Sequence, residues 1–248
     1  MNMHLTILTG ASRGLGAAMA EQLLKGGHRL LTISRHTADL WVVQGADLEQ
    51  WPMDLADARP VAARLEVWLG EQATKAPMSV TLINNAAAVS TPAPLAAEQA
   101  DELVQGLRVG LEAPLLLSAA FLRATAPWQV KRRLLFISSG LGRRAMAGAA
   151  AYCAVKAGVD HLARAIALEQ AAQENGAQVV SLAPGVIDTD MQVQLRRADP
   201  AQFPEHARFM ALHAQGQLDS PVQAATKVLA YLARNDFGSQ PVADVRDA

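Results

Sequence analysis

The chain is poor in aromatic residues, which make up 4% of its 248 positions, although 51% of those positions are apolar. A chain of this length can bury a large core. That core must be built from aliphatic side chains and close helix contacts, and the abundance of alanine favours helices. Cysteine is almost missing: Cys153 stands alone, which excludes an intramolecular disulfide and a cysteine zinc cluster. A single cysteine fits a reducing cytoplasm, the expected location, and no metal site is expected. No charge of one sign dominates. The formal net charge is −1, so there is no basic footprint for nucleic acid and no such partner is expected. No uninterrupted apolar run reaches the ~18 residues of a membrane helix, so no membrane partner is expected either. Met1 to Gly10 reads as a strand and not as a signal peptide, because no charged segment precedes a long apolar one. Internal repeats, low-complexity linkers and a domain break are also missing, which predicts one domain over residues 1–248.

What is there is alternation. Short apolar runs at 4–9, 29–34, 51–55, 80–84, 134–139 and 178–183 read as strands, with a short edge strand at 242–245. Between them, 15–25, 58–73, one or two segments within 98–126, 150–173 and 221–234 carry helical spacing. Gly26-Gly27 stops the first helix and Pro60 lies in the first turn of the second. Residues 38–50 read as irregular. Continuous apolar strands separated by helices predict an α/β fold: a single Rossmann-type, doubly wound parallel sheet with helices on both faces. Residues 188–217 are polar and partly helical, and 188–219 are expected to form a substrate lid. Its Met191, Leu195, Phe203, Phe209 and Met210 either close over a substrate or pack the lid down. In such sheets ligands bind beyond the carboxyl ends of the strands, so chemistry is sought there.

The first strand runs into Thr9-Gly10-Ala11-Ser12-Arg13-Gly14-Leu15-Gly16 and then a helix. Three glycines alone also make an ordinary turn. Between a strand and a helix they match the dinucleotide fingerprint: Gly10 for the turn, Gly14 for backbone approach to a diphosphate, Gly16 for close packing. The helix N-terminus supplies free N–H groups and a positive dipole end. At the end of the second strand, where an NAD site places an acid, stand Ser34 and Arg35. Arg35 can make paired hydrogen bonds to a 2′-phosphate, and Arg13 offers a second cation. Either arginine alone is as readily a solvated surface charge; together, without the acid, they favour NADPH.

Tyr152 and Lys156 lie four residues apart in a long helix and share a face. A free tyrosine, with a pKa near ~10, is a poor acid–base catalyst at neutral pH. A neighbouring ammonium lowers that value, and Tyr152 is then expected to give a proton to a carbonyl oxygen. Ser139, at the end of the preceding strand, is placed to hold the same oxygen. A Tyr-x-x-x-Lys pair by itself is common by chance.

In this order the pieces resemble the short-chain dehydrogenase/reductase family. They are the Thr9–Gly16 turn, Asp54-Leu55, Asn84-Asn85-Ala86-Ala87, Ile137-Ser138-Ser139, Tyr152 through Lys156, and Pro184 through Thr189. The resemblance covers the chain from Thr9 to Asp244. It implies a Rossmann fold and hydride transfer at a carbonyl or alcohol carbon, with Ser139, Tyr152 and Lys156 catalytic. It further implies that Lys156 binds the nicotinamide ribose and that Asp54 and Leu55 meet adenine. Asn85 and Ala86 would line the cofactor, and Pro184, Gly185, Ile187 and Thr189 would face its nicotinamide end, alongside Gly10, Ser12, Arg13, Gly14, Leu15 and Gly16 on the phosphates. Two positions depart from the pattern: Ala87 stands where glycine is usual, and Gly110 where a catalytic asparagine is usual, which puts the proton relay in question.

Within the family, the segments around Tyr152 and Pro184 look most like the sepiapterin reductase and benzil reductase group. That resemblance implies a small-molecule ketone or dicarbonyl substrate, with Gly140, Leu141, Met191 and Asp244 as contacts and Asp244 as a pterin anchor. Arg143 and Arg144 could meet an anionic substrate, though such arginines are commonly solvated. A homodimer or homotetramer is expected, with Ala154, Ala157, Gly158 and Ala163 offering small helix faces. The competing readings are a 3-oxoacyl-type reductase and a non-catalytic NADPH-binding regulator.

Overall fold

A computed structural model describes residues 3–75 and 77–247. Met1, Asn2, Ala76 and Ala248, within the expected 1–248 span, lie outside the described residues. Seven strands form one parallel sheet in the order β3-β2-β1-β4-β5-β6-β7. They are β1 His4–Thr9, β2 Arg29–Ser34, β3 Asp47–Pro52, β4 Ser79–Asn84, β5 Lys131–Ile137, β6 Gln178–Ala183 and β7 Val242–Asp244. The chain moves outward from β1 to β3 and then returns to place β4 against the other side of β1. The carboxyl ends of β1 and β4 therefore flank a switch point, the usual ligand crevice of such sheets.

The helices are α1 Gly14–Lys25, α2 Ala58–Gln72, α3 Ala100–Leu107, α4 Ala113–Thr125, α5 Ala150–Ala171, α6 Asp190–Arg197, α7 His206–Ala214 and α8 Pro221–Ala233. Alternate side chains of one strand point to opposite faces, and the core divides accordingly. Leu5, Ile7, Leu31 and Ile33 pack with Val61 and Leu65 of α2, Leu117 and Phe121 of α4 and Val159 of α5. On the other face Leu8, Leu30, Ile83 and Val180 pack with Met19 and Leu24 of α1 and Ala224 and Val228 of α8. α8 starts at a capping box, Ser220 with Gln223, and has Pro221 in its first turn.

Between α3 and α4 the chain makes a π turn, Arg108–Glu112, that leaves the helix unbroken from Ala100 to Thr125. At 26 residues this stretch is long and apolar enough, by length and composition, to cross a membrane, contrary to the sequence reading. Asp101, Glu102, Arg108 and Glu112 interrupt the apolar run and hid it. Its Ala113, Leu117, Ala120 and Phe121 lie in the core on the α2 side of the sheet. A third cluster, Met146, Leu195, Ala198, Phe203 and Phe209, packs α6 and α7 down beside the end of β5, while Met210 stays exposed. For Leu195, Phe203 and Phe209, packing is therefore the outcome.

Candidate active site

The glycine turn is pinned from both sides. Gly10 donates to Ile33 O at 2.9 Å, and Ala11 N donates to Ser34 Oγ at 2.8 Å. From β4, Asn85 Nδ2 donates to the carbonyls of Thr9 and Gly10 at 3.0 and 3.1 Å, and Thr9 Oγ1 accepts from Asn85 N and Ala86 N. Gly10 and Gly14 have φ of 70° and 56°, which favours glycine. A Cβ on Gly16 would lie 2.0 Å from Gly10 O, so no side chain fits there. Arg13 precedes α1 without capping it. The first N–H groups of that helix thus face outward, as a diphosphate requires, and this cradle fits a dinucleotide.

Several expected cofactor contacts are engaged otherwise. Ser34 is buried, and its hydroxyl accepts from the glycine turn at Ala11 N. Arg13 is paired with Asp190 at 2.7 Å, an exposed bridge from the glycine turn to α6. Arg35 is exposed and has no ion pair among the described residues. Asp54 Oδ1 accepts from Ala56 N at 2.9 Å and caps a short turn, and Leu55 is in the core. Leu15 packs its side chain into the α1 core, leaving only its backbone for a ligand. Beyond β6, Pro184 is buried and Gly185 has φ 87°. Ile187 pairs with Asp219, and Thr189 Cγ2 lies 3.4 Å from where a Cβ on Gly14 would be. Ser12, Thr189 and Asn85 thus meet around the same turn.

The end of β5 and one face of α5 are laced together. Three consecutive residues, Ile137, Ser138 and Ser139, meet Lys156, Asp160 and Tyr152. Lys156 Nζ donates to Ile137 O at 2.8 Å. Ser138 Oγ donates to Asp160 Oδ1 at 2.6 Å. The Ser139 side chain lies beside the Tyr152 hydroxyl, and its Oγ accepts from Leu141 N at 3.2 Å. Desolvation of the hydroxyl pushes the Tyr152 pKa up to about 12, with the neighbouring Ser139 hydroxyl pulling the other way. The expected lowering by Lys156 is therefore not found: its ammonium is turned to Ile137 O and lies 5.6 Å from the Tyr152 ring centroid. Burial pushes Lys156 down to about 8, against the pull of Asp160.

Beside Ser139 a Cβ on Gly140 would meet nothing within 4 Å, so the turn after Ser139 is open at that position. Leu141, Met191 and Cys153 are half-buried against the third cluster. Asp244 does not join them as expected. It is buried, and Arg246 clamps its two oxygens at 2.8 and 2.6 Å while Arg143 lies 3.8 Å away, so the carboxylate is spent on arginines. Arg143 is correspondingly not a substrate cation: it donates to Ala243 O at 2.7 Å and lies 3.3 Å from Asp160 Oδ2. Gly110 occupies the π turn, where a Cβ would lie 2.6 Å from Val155 Cγ1, so an asparagine cannot simply be restored. The sequence reading missed Asp160 altogether. The signal was present as an acid four residues after Lys156 in an apolar helix face.

Parallel sheet, switch-point glycine cradle and Ser–Tyr–Lys cluster together define an α/β oxidoreductase of the nicotinamide-dinucleotide type. A family model described as short chain dehydrogenase matches residues 4–200, and the chain belongs to the short-chain dehydrogenase/reductase family. It is 36% identical over 233 residues to benzil reductase ((S)-benzoin forming) of Bacillus subtilis strain 168, covering 94% of each chain. Over 253 residues it is 30% identical to sepiapterin reductase of Xenopus tropicalis, covering 95% of this chain and 93% of that one. Its fold matches a candidate NAD(P)-dependent gluconate 5-dehydrogenase from Beutenbergia cavernae, solved with bound NADP at low occupancy. There the TM-score is 0.77 at 26% identity, over 99% of this chain and 96% of that one.

Proposed function

We propose that the protein is an NADPH-dependent carbonyl reductase acting on a small ketone or 1,2-dicarbonyl, with Tyr152 as proton donor. The observation that carries this is the convergence of Ser139, Tyr152 and Lys156 where the end of β5 meets α5, beside the glycine cradle. Gly10, Ser12, Gly14, Gly16, Asn85 and Thr189 would hold the dinucleotide, which would supply a hydride for the carbonyl carbon. Ser139 orients the carbonyl oxygen. Tyr152, at about 12, keeps its proton at neutral pH and yields it to the far more basic alkoxide oxygen that develops. Solvent then reprotonates the phenolate. Leu141 and Met191 form the apolar wall of the pocket, and residues 188–219 act as its lid within one domain.

Preference for NADPH is supported by the exposed Arg35 and by the lack of an acid at the end of β2. Arg13 could join it, since an exposed pair such as Arg13–Asp190 is worth only about 0–1 kcal/mol. Assembly into a homodimer or homotetramer is supported by the exposed α5 face of Ala154, Ala157 and Leu168. The likeness to benzil and sepiapterin reductases supports the substrate class. The test is NADPH oxidation with benzil, aliphatic dicarbonyls, sepiapterin and a 3-oxoacyl thioester. Turnover of a dicarbonyl or sepiapterin is expected; preference for the thioester, or tight NADPH binding without any turnover, refutes this reading.

A further inference from the structure

Asp160 is 1% exposed, and a carboxylate so placed is costly unless it is hydrogen-bonded and paired. Oδ1 accepts from Ser138 Oγ at 2.6 Å and from Ser181 Oγ of β6 at 2.7 Å. Oδ2 has Arg143 Nε at 3.3 Å, close enough for an ion pair but not aligned as a hydrogen bond, so it has no hydrogen-bond partner among the described residues. A Cβ on Gly142 would lie 2.7 Å from the same Oδ2 and 2.9 Å from Lys156 O. The turn after β5 is thus shaped around this carboxylate. Asp160 joins β5, β6, α5 and the turn at Gly142, and is closed off from solvent.

We propose that Asp160 is a positioning residue of this enzyme, holding the Lys156 side chain as an ammonium behind Tyr152. The two residues are one helical turn apart on the same face of α5. Lys156 is itself 4% exposed, and its one hydrogen bond is to a neutral carbonyl. Burial alone drives such a lysine towards the neutral amine; Asp160 is the group that opposes it. Arg143 works in the other direction, as a cation drawing on the same carboxylate. The remaining charged or titratable groups on the elements packed around Lys156 are Tyr152 and Cys153 beside it on α5, the exposed His161, Arg164 and Glu169 farther along that helix, Lys131, Arg132 and Arg133 at the far end of β5, Arg144 beyond the Gly142 turn, and Asp244 with Arg246 behind Arg143. The π turn adds the exposed Arg108 and the half-buried Glu112. Among these Asp160 is the acid with a contact to the β5 end that Lys156 also grips.

This inference rests on the reading of Tyr152 and Lys156 given above, and its test separates the two. The chain has five lysines, so NMR of the labelled side chains, with Lys156→Arg for assignment, follows the Lys156 titration in the free protein without any turnover. Asp160→Asn should lower the Lys156 midpoint by about 1 unit or more, the usual effect of losing an opposite charge nearby. Arg143→Met should raise it, and Asp160→Glu should restore most of it. The alkaline limb of turnover should move in step, down for Asp160→Asn and up for Arg143→Met. A merely structural aspartate would lower thermal stability and leave both midpoint and limb in place, which overturns the proposal. If Asp160→Asn does not fold, Arg143→Met decides: an upward shift supports the assignment and an unchanged midpoint ends it. Failure of the native protein to reduce any carbonyl refutes the carbonyl-reductase reading and leaves the NMR midpoints to judge Asp160.

Discussion

Gly110 offers a prediction in which two ordinary expectations oppose each other. Alanine is favoured over glycine inside a helix by about 1 kcal/mol, so Gly110→Ala should stabilise the stretch from Ala100 to Thr125. The new Cβ, however, would lie 2.6 Å from Val155 Cγ1. Val155 is buried and β-branched, so it has little rotameric freedom to yield. Overpacking of this kind costs typically about 1–3 kcal/mol. Gly110→Ala should therefore be neutral to destabilising by about 2 kcal/mol. On a Val155→Ala background the obstacle is gone and the same change should stabilise, a coupling of about 1–3 kcal/mol. Thermal unfolding reads this directly, since each kcal/mol moves the midpoint by roughly 2–4 °C in a chain of this size. Turnover should fall with Gly110→Ala as well, because Val155 adjoins Lys156. Gly110→Ala more stable than the native protein, or equal effects in both backgrounds, would falsify the packing argument. The same obstacle makes Gly110→Asn a repacking mutation rather than a simple exchange of side chains.

Tyr152→Phe should abolish carbonyl reduction while NADPH binding, followed by fluorescence titration, stays within a few-fold, since only the hydroxyl is lost; retention of most turnover would unseat Tyr152 as donor. Arg35→Ala should raise the KM for NADPH and leave that for NADH nearly unchanged; equal loss with both cofactors would assign Arg35 a structural role. His28, pushed down to about 4 by burial and by nearby His4, makes the unfolded chain bind more protons between pH 4 and the ordinary value of 6.5. Stability should then fall as pH falls through that window. His28→Gln should flatten this limb of a urea-midpoint series, and an unchanged slope would show that other groups carry it.

Much of the frame was legible because parallel strands buried on both faces must read as continuous apolar runs. β1, β2 and β6 have the bounds their sequence predicts. β3 does not: the sequence puts it at 51–55, but the strand is the edge strand Asp47–Pro52, whose polar, partly exposed first residues read as irregular chain, and Leu55 opens a short helical turn. The π turn was illegible because glycine and an apolar helix pattern are equally at home in an α-helix. At the site, the glycine cradle and the Ser139, Tyr152, Lys156 cluster were legible because backbone geometry and helical spacing fix them. The partners of polar side chains were not. Ser34, Asp244 and Arg143 each carry a group that suits a ligand, and only the tertiary arrangement shows that each is claimed by the protein itself. Asp160 was overlooked because a single acid within a helix ordinarily signals a solvated face.

The all-parallel sheet also governs how the chain reaches this structure. Parallel neighbours cannot be joined by a tight hairpin, so each of the six ladders closes only after an intervening crossover has been gathered in. β1 and β4, which flank the glycine cradle, are separated by two strands and two helices in sequence. Local turns therefore earn no early sheet, and the central pairing is deferred until the α2 crossover docks. Refolding should be slow relative to chains rich in local contacts, with apolar strand edges exposed meanwhile. The cradle that admits the dinucleotide is completed only at that late joining, and a ligand bound there can stabilise the finished chain without guiding the early one.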